Sequence, residues 1–119
     1  MHVTARRTTL RPGRELDYER VHARIPEGVA QALRRAGVLR WTIWRDGSHL
    51  FHTIETRDGY EAMLAVLAPV LPVDPQWDEL IASLLDPGDG ADVILPAVWT
   101  LDASSQGPSP GPSPGSSRG

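Results

Sequence analysis

An α+β domain, with helices on one face of an antiparallel four-stranded sheet, is what the 119-residue sequence predicts. Three observations predict it. Apolar residues recur at helical spacing over residues 13–36 and again in two shorter stretches further on. Asp46-Gly47 parts two apolar, β-branched and aromatic runs, a strong short-range hairpin signal. In chain order the elements read β-α-β-β-α-(α)-β, which is the order of a ferredoxin-like sheet.

Residues 3–10 read as a strand, with β-branched residues, loose alternation and a stop at Arg11-Pro12-Gly13. Arg6 and Arg7 are unusual in a buried central strand, so one face meets water or a partner chain. Residues 13–36 follow as a helical stretch. Tyr18, Val21, His22, Ile25, Val29, Ala32, Leu33 and Ala36 share one side of a helical wheel, with most charges opposite. Pro26 donates no N–H and disfavours helical geometry at Ile25, so a kink or break falls there, and Gly37 is the natural end.

The hairpin strands span 38–45 and 48–55. A two-residue Asp46-Gly47 turn sets Arg45 opposite Ser48, Ile43 opposite Leu50 and Trp41 opposite His52 on one face. Thr42, Trp44, His49, Phe51 and Thr53 share the other. A second helix spans 57–67, with Thr56 or Asp58 near its cap and Tyr60, Met63, Leu64 and Leu67 inward. A third spans 75–85, with Asp74 as N-cap, Pro75 at N1 and an apolar stripe of Trp77, Leu80, Ile81 and Leu84. Residues 92–101 read as the last strand. In residues 103–119, 14 of 17 are Ser, Pro or Gly, a composition that cannot bury enough apolar surface to offset ordering, so a folded domain over 1–102 and a disordered tail are expected.

Composition narrows the function. The net charge of −3, with Arg the sole basic residue besides His, implies no nucleic-acid or anionic-membrane partner. The absence of Cys excludes disulfides, thiolate catalysis and thiolate metal sites. No apolar run is long enough to cross a bilayer and the first residues lack an apolar leader pattern, so the cytoplasm is expected. There is no phosphate loop, nucleotide fingerprint or nucleophile motif, and the four His lack metal-ligand spacing with carboxylates, so no cofactor or metal is implied.

What stands out is Tyr18 and His22, a phenol and an imidazole four residues apart on the inward side of the first helix. Taken singly, each is as readily a packed core residue. The sheet face that meets the pair carries either Trp41 and His52 or Trp44 and Phe51, and periodicity does not choose between them. Either way the result is a cavity of Tyr, His and Trp, suited to a small polar ring whose C–H face packs on aromatic carbon. The sheet face turned away from the helices would be an exposed apolar surface in a monomer, which predicts a sheet-to-sheet homodimer.

In order, Tyr18-x-x-x-His22, then Ile25-Pro26-Glu27, then Trp41-Thr42-Ile43-Trp44-Arg45-Asp46, then Gln76-Trp77, then Val98-Trp99-Thr100-Leu101 resemble the signatures of the L-rhamnose mutarotases, small dimeric α+β-barrel proteins with L-fucose mutarotase-like members. The resemblance runs over residues 3–101. It implies a mutarotase that interconverts the α and β anomers of a 6-deoxy-L-hexose, L-rhamnose or L-fucose, by general acid/base ring opening without a cofactor. It implies His22 as the proton donor, with Tyr18, Trp41, Gln76 and Trp77 on the sugar; Tyr18, beside His22, is the catalytic partner that positions it or the sugar hydroxyl and the first candidate for a second relay. The resemblance also turns Trp41 toward the helices, and the expected hairpin register then brings His52 to the same cavity as a further substrate contact and candidate relay. Two positions depart from the family: Trp41 stands where a Tyr is usual, and Gln76 replaces the first Trp of a pair. Two other readings remain: a cofactor-free monooxygenase or cyclase acting on an aromatic substrate on the same fold, and a non-catalytic sugar-binding module.

Overall fold

A computed structural model describes residues 1–101 and 103. The expected tail lies, apart from its first residue, outside the described residues. Four strands, β1 (His2–Thr9), β2 (Val38–Asp46), β3 (His49–Thr56) and β4 (Asp92–Leu95), form one antiparallel sheet in the order β2-β3-β1-β4. That is the ferredoxin-like order. Between β1 and β2 run α1 (Glu15–His22) and α2 (Glu27–Arg35); between β3 and β4 run α3 (Tyr60–Leu67), a 3₁₀ turn (Ala68–Val70) and α4 (Pro75–Leu84).

Pairing and pleat together decide which strand residues meet the helices. Trp41 and Ile43 of β2, Leu50, His52 and Ile54 of β3, and Arg6 and Thr8 of β1 share the helix-facing side. Two apolar clusters form there. Leu50 packs with Leu10, Tyr18 of α1 and Leu84 of α4, flanked by Ile43 and Ile81. Ile54 packs with Ala36, Met63 and Leu67, flanked by Leu33, Trp41 and Tyr60. His52 stands on β3 between Leu50 and Ile54, and so between the two clusters.

The helical stretch breaks where proline requires it, and the break is wider than a kink. The first helix stops at His22, and Pro26 (φ −58°, ψ 139°) becomes the N-cap position of the second. Gly37 closes α2 at φ +103°, where a side chain would be strained.

The hairpin corrects the expected register by two residues. Asp46 stays extended and pairs with His49, and the loop is Gly47-Ser48. Trp41 therefore pairs with Ile54, Ile43 with His52 and Arg45 with Leu50. The left-handed conformation falls on Gly47 (φ +61°), which tolerates it, and Asp46 is spared it. A shift of two preserves parity, so the predicted sets of residues still share their faces.

Three further expectations are corrected. Neither Thr56 nor Asp58 caps α3: Thr56 ends β3 fully buried, and Gly59 occupies the N-cap position. Leu64 and Leu80 of the apolar stripes are partly exposed. The last strand ends at Leu95, because Pro96 has no N–H to continue the ladder. Beyond it Val98 (96 % exposed), Trp99 (75 % exposed) and Leu101 lie on the surface outside any strand.

Asp74 caps α4 as expected, its carboxylate accepting from the Trp77 N–H at 3.0 Å, with Pro75 at the first helical position. Asp74→Ala is expected to lower the unfolding free energy by about 1 kcal/mol in a urea titration. The same change loosens the turn that carries Trp77.

Candidate active site

The break after His22 and the capped start of α4 bring α1 and α4 together above the sheet. Between the helices and the sheet lies an open cavity of about 1130 Å³, lined by Tyr18, His22, Trp41, His52 and Trp77 among others. Its size is at the upper end of small-molecule sites. Trp44 and Phe51 belong to the opposite sheet face, so of the two pairs left open by periodicity, the one that meets the Tyr18/His22 face is Trp41 and His52.

His22 is held as a plate between two aromatic rings. The Tyr18 ring stacks on it (centroids 4.5 Å apart, planes 18° apart) and the Trp77 ring packs at 5.3 Å on a tilt. The i, i+4 spacing in α1 produces the first contact. The second needs the packing of α4. Burial lowers the His22 pKa from the ordinary 6.5, so the ring is neutral at pH 7. Its Nδ1 is buried with no hydrogen-bond partner among the described residues. Burial also pushes the Tyr18 phenol up to about 12, so it stays protonated throughout the physiological range.

Across the cavity His52 is engaged on both ring nitrogens. The Trp41 indole N–H donates to Nδ1 at 3.1 Å, and Thr8 Oγ1 lies 2.9 Å from Nε2. Trp41 reaches His52 on the diagonal of the ladder, not from the position directly opposite. Burial first, then the nearby Arg6 guanidinium, lowers the His52 pKa to about 4.

Gln76 is not in the cavity. One residue before Trp77 on α4, it is turned about 100° away and exposed. With Trp77, Ile81 and Leu84 inward, the helix cannot also present Gln76 there. Conversely, Arg6 and Thr8 line the cavity, whereas the sequence marked Arg6 only as an unusual charge in a strand and Thr8 not at all. Arg6 is clamped by Asp92 through two hydrogen bonds, of 2.8 and 2.6 Å, which raise its pKa and lower that of Asp92. Counting back in twos from Leu10 was the available signal for the inward side of this strand.

A ferredoxin-like sheet with a helix-side aromatic cavity places the chain among α+β-barrel proteins. Residues 4–101 match the family described as rhaM, L-rhamnose mutarotase. The chain belongs to the L-rhamnose mutarotase family. It is 36% identical over 90 residues to an L-rhamnose mutarotase of Paraburkholderia phytofirmans, covering 74% of this chain and 81% of that one. It is 34% identical over 86 residues to one from Paraburkholderia xenovorans, covering 71% and 78%. Its fold is similar to the L-rhamnose mutarotase of Formosa agariphila (TM-score 0.68, 20% identity, 86% of this chain and 100% of that one). It is also similar to the tetracenomycin F2 cyclase of Streptomyces glaucescens (TM-score 0.58, 18% identity, 86% and 100%).

Proposed function

We propose that this chain is an aldose mutarotase that interconverts the α and β anomers of a 6-deoxy-L-hexose, L-rhamnose foremost and L-fucose as the second candidate. The observation that carries the site assignment is the His22 imidazole, neutral and plated between Tyr18 and Trp77 on the wall of the cavity.

Ring opening takes one proton from the anomeric hydroxyl and delivers one to the ring oxygen. The C1–O5 bond breaks and C1 becomes an aldehyde. After rotation about C1–C2, O5 attacks the other face and the protons return. His22 carries the principal transfer: its neutral ring accepts from the anomeric hydroxyl, and the imidazolium so formed returns that proton to the new anomeric oxygen as the ring recloses and O5–H gives its proton back to Tyr18. Tyr18, protonated at any physiological pH, positions the sugar and donates to the ring oxygen. Trp41 and Trp77 supply aromatic walls. His52 borders the same cavity with both nitrogens already engaged, so the second relay falls to Tyr18.

Anomer exchange measured by saturation-transfer NMR tests the reading. Acceleration of L-rhamnose exchange supports it. Binding of polycyclic aromatics without any effect on sugar exchange would overturn it in favour of a cyclase or monooxygenase. Sugar-dependent Trp fluorescence without acceleration would point to a binding module.

The protein acts as a homodimer through the open sheet face. That face carries Trp44, 59 % exposed, paired with Phe51 across the hairpin, and apolar surface of this kind is covered in a stable protein. Sedimentation velocity is expected to show twice the chain mass, and Trp44→Glu to shift it to the monomer. A single folded domain completes the proposed organisation. No helix of the described residues is long and apolar enough to cross a membrane; a cytoplasmic location is part of the proposed reading.

A further inference from the structure

The two histidines of the cavity sit in opposite circumstances. His22 has a ring nitrogen without a partner, whereas His52 has none to spare. An indole N–H only donates, so the nitrogen it meets must offer a lone pair. Nδ1 of His52 is therefore unprotonated, and the ring proton sits on Nε2, where it donates to the Thr8 hydroxyl oxygen 2.9 Å away. Thr8 and His52 are both buried, which holds the pair in place.

Protonating Nδ1 would set two N–H groups against each other and break the Trp41 contact. The clamped Arg6, cross-strand neighbour of His52, adds a positive charge on the same side. The lowered pKa of His52 agrees with this geometry. The consequence for Trp41 is as definite. Its one polar group is spent on His52, with the rings edge to face (70°, centroids 6.0 Å). What Trp41 has left for the cavity is carbon.

We propose that His52 is a positioning residue and not a proton carrier: fixed between Thr8 and Trp41 as the Nε2–H tautomer, it orients the indole so that this wall offers the sugar an apolar face and no hydrogen bond. The wall thus takes the C–H side or the methyl end of a deoxy sugar. This second half rests on the mutarotase reading; the tautomer and the Trp41 contact do not.

Long-range ¹H–¹⁵N NMR of the full chain at pH 7 tests the tautomer directly. A pyrrole-type Nε2 and a pyridine-type Nδ1 at His52 are expected; a proton on Nδ1 overturns the proposal. Kinetics of two variants test the role. In His52→Leu the indole loses its acceptor, so KM for L-rhamnose rises about tenfold, the worth of one good hydrogen bond, while kcat stays within about threefold. His52→Asn puts a carbonyl oxygen near the Nδ1 position and restores KM. A large fall in kcat at unchanged KM, with an altered pH profile, would make His52 a proton carrier and overturn the proposal. So would a Leu variant in which neither constant moves. If His52→Leu fails to fold, the Asn variant and the NMR still decide. If the wild-type chain exchanges no sugar, the mutarotase reading fails, while the tautomer measurement still decides how His52 is held.

Discussion

Replacing His22 by alanine is expected to leave a folded chain whose acceleration of anomer exchange has fallen ~10²–10⁴-fold, the usual worth of a positioned acid or base. The fold survives because His22 lies at the edge of the cavity and not among the buried residues of either apolar cluster. Water already performs the reaction slowly, so the loss shows as a return toward the uncatalysed rate. Circular dichroism and the thermal midpoint establish that the variant is folded; saturation-transfer NMR with L-rhamnose and L-fucose reads the exchange. Unchanged exchange would remove His22 from the mechanism. The wild-type pH profile follows from the same ring. Burial holds the His22 pKa below 6.5, so the neutral, proton-accepting form persists below the ordinary histidine range. Activity is expected to hold on descending to pH 6.5 and to fall only at lower pH, as the imidazolium form accumulates.

The second large effect is on stability, and it belongs to His52. Its folded pKa is about 4 against an ordinary 6.5. At pH 7 the ring is neutral in both the folded and unfolded chain, and the difference contributes nothing. Between pH 6.5 and 4 the unfolded chain takes up a proton that the folded chain does not. The unfolded state is then favoured, and stability falls as the pH falls. Across the whole window the loss is about 3 kcal/mol, at 1.36 kcal/mol per pH unit. His22 acts in the same direction. Asp92 stays out of most of the window, because Arg6 holds its pKa below 3.8. Urea titrations at pH 7 and 4.5 measure the slope, and His52→Leu should flatten most of it. An equal slope in that variant would show that the proton is taken up elsewhere.

Much of the fold was legible because local rules and the global arrangement agree. Pro26 divided the long helical stretch, Gly37 ended it, and Asp74-Pro75 opened α4 with the cap in place. The Tyr18–His22 stack follows from i, i+4 spacing alone. The strand boundaries in the hairpin were less secure. Asp-Gly marks a turn but not which residue begins it, and starting the loop at Gly47, which tolerates its positive φ, moved the pairing by two. The expected end of the last strand was too generous, because apolar, aromatic composition at 98–101 says nothing of whether a partner strand is available past Pro96.

Of the candidate site, Tyr18, His22, Trp41, His52 and Trp77 meet around one cavity, and Gln76 does not. The helix geometry that turns Trp77 inward turns its neighbour out. By itself, the sequence determined which residues share a side of each element, since that depends only on periods of two and 3.6 residues and survives a register shift of two. Only the tertiary structure decided which residues touch across the cavity: Trp77 on His22, Trp41 diagonally on His52, and Arg6 clamped by Asp92. Such contacts turn on displacements of a few ångströms, set by strand register and by how two apolar clusters seat four helices on one sheet. No local pattern in the chain encodes that, and it is what leaves Nδ1 of His22 without a partner among the described residues while both ring nitrogens of His52 are engaged.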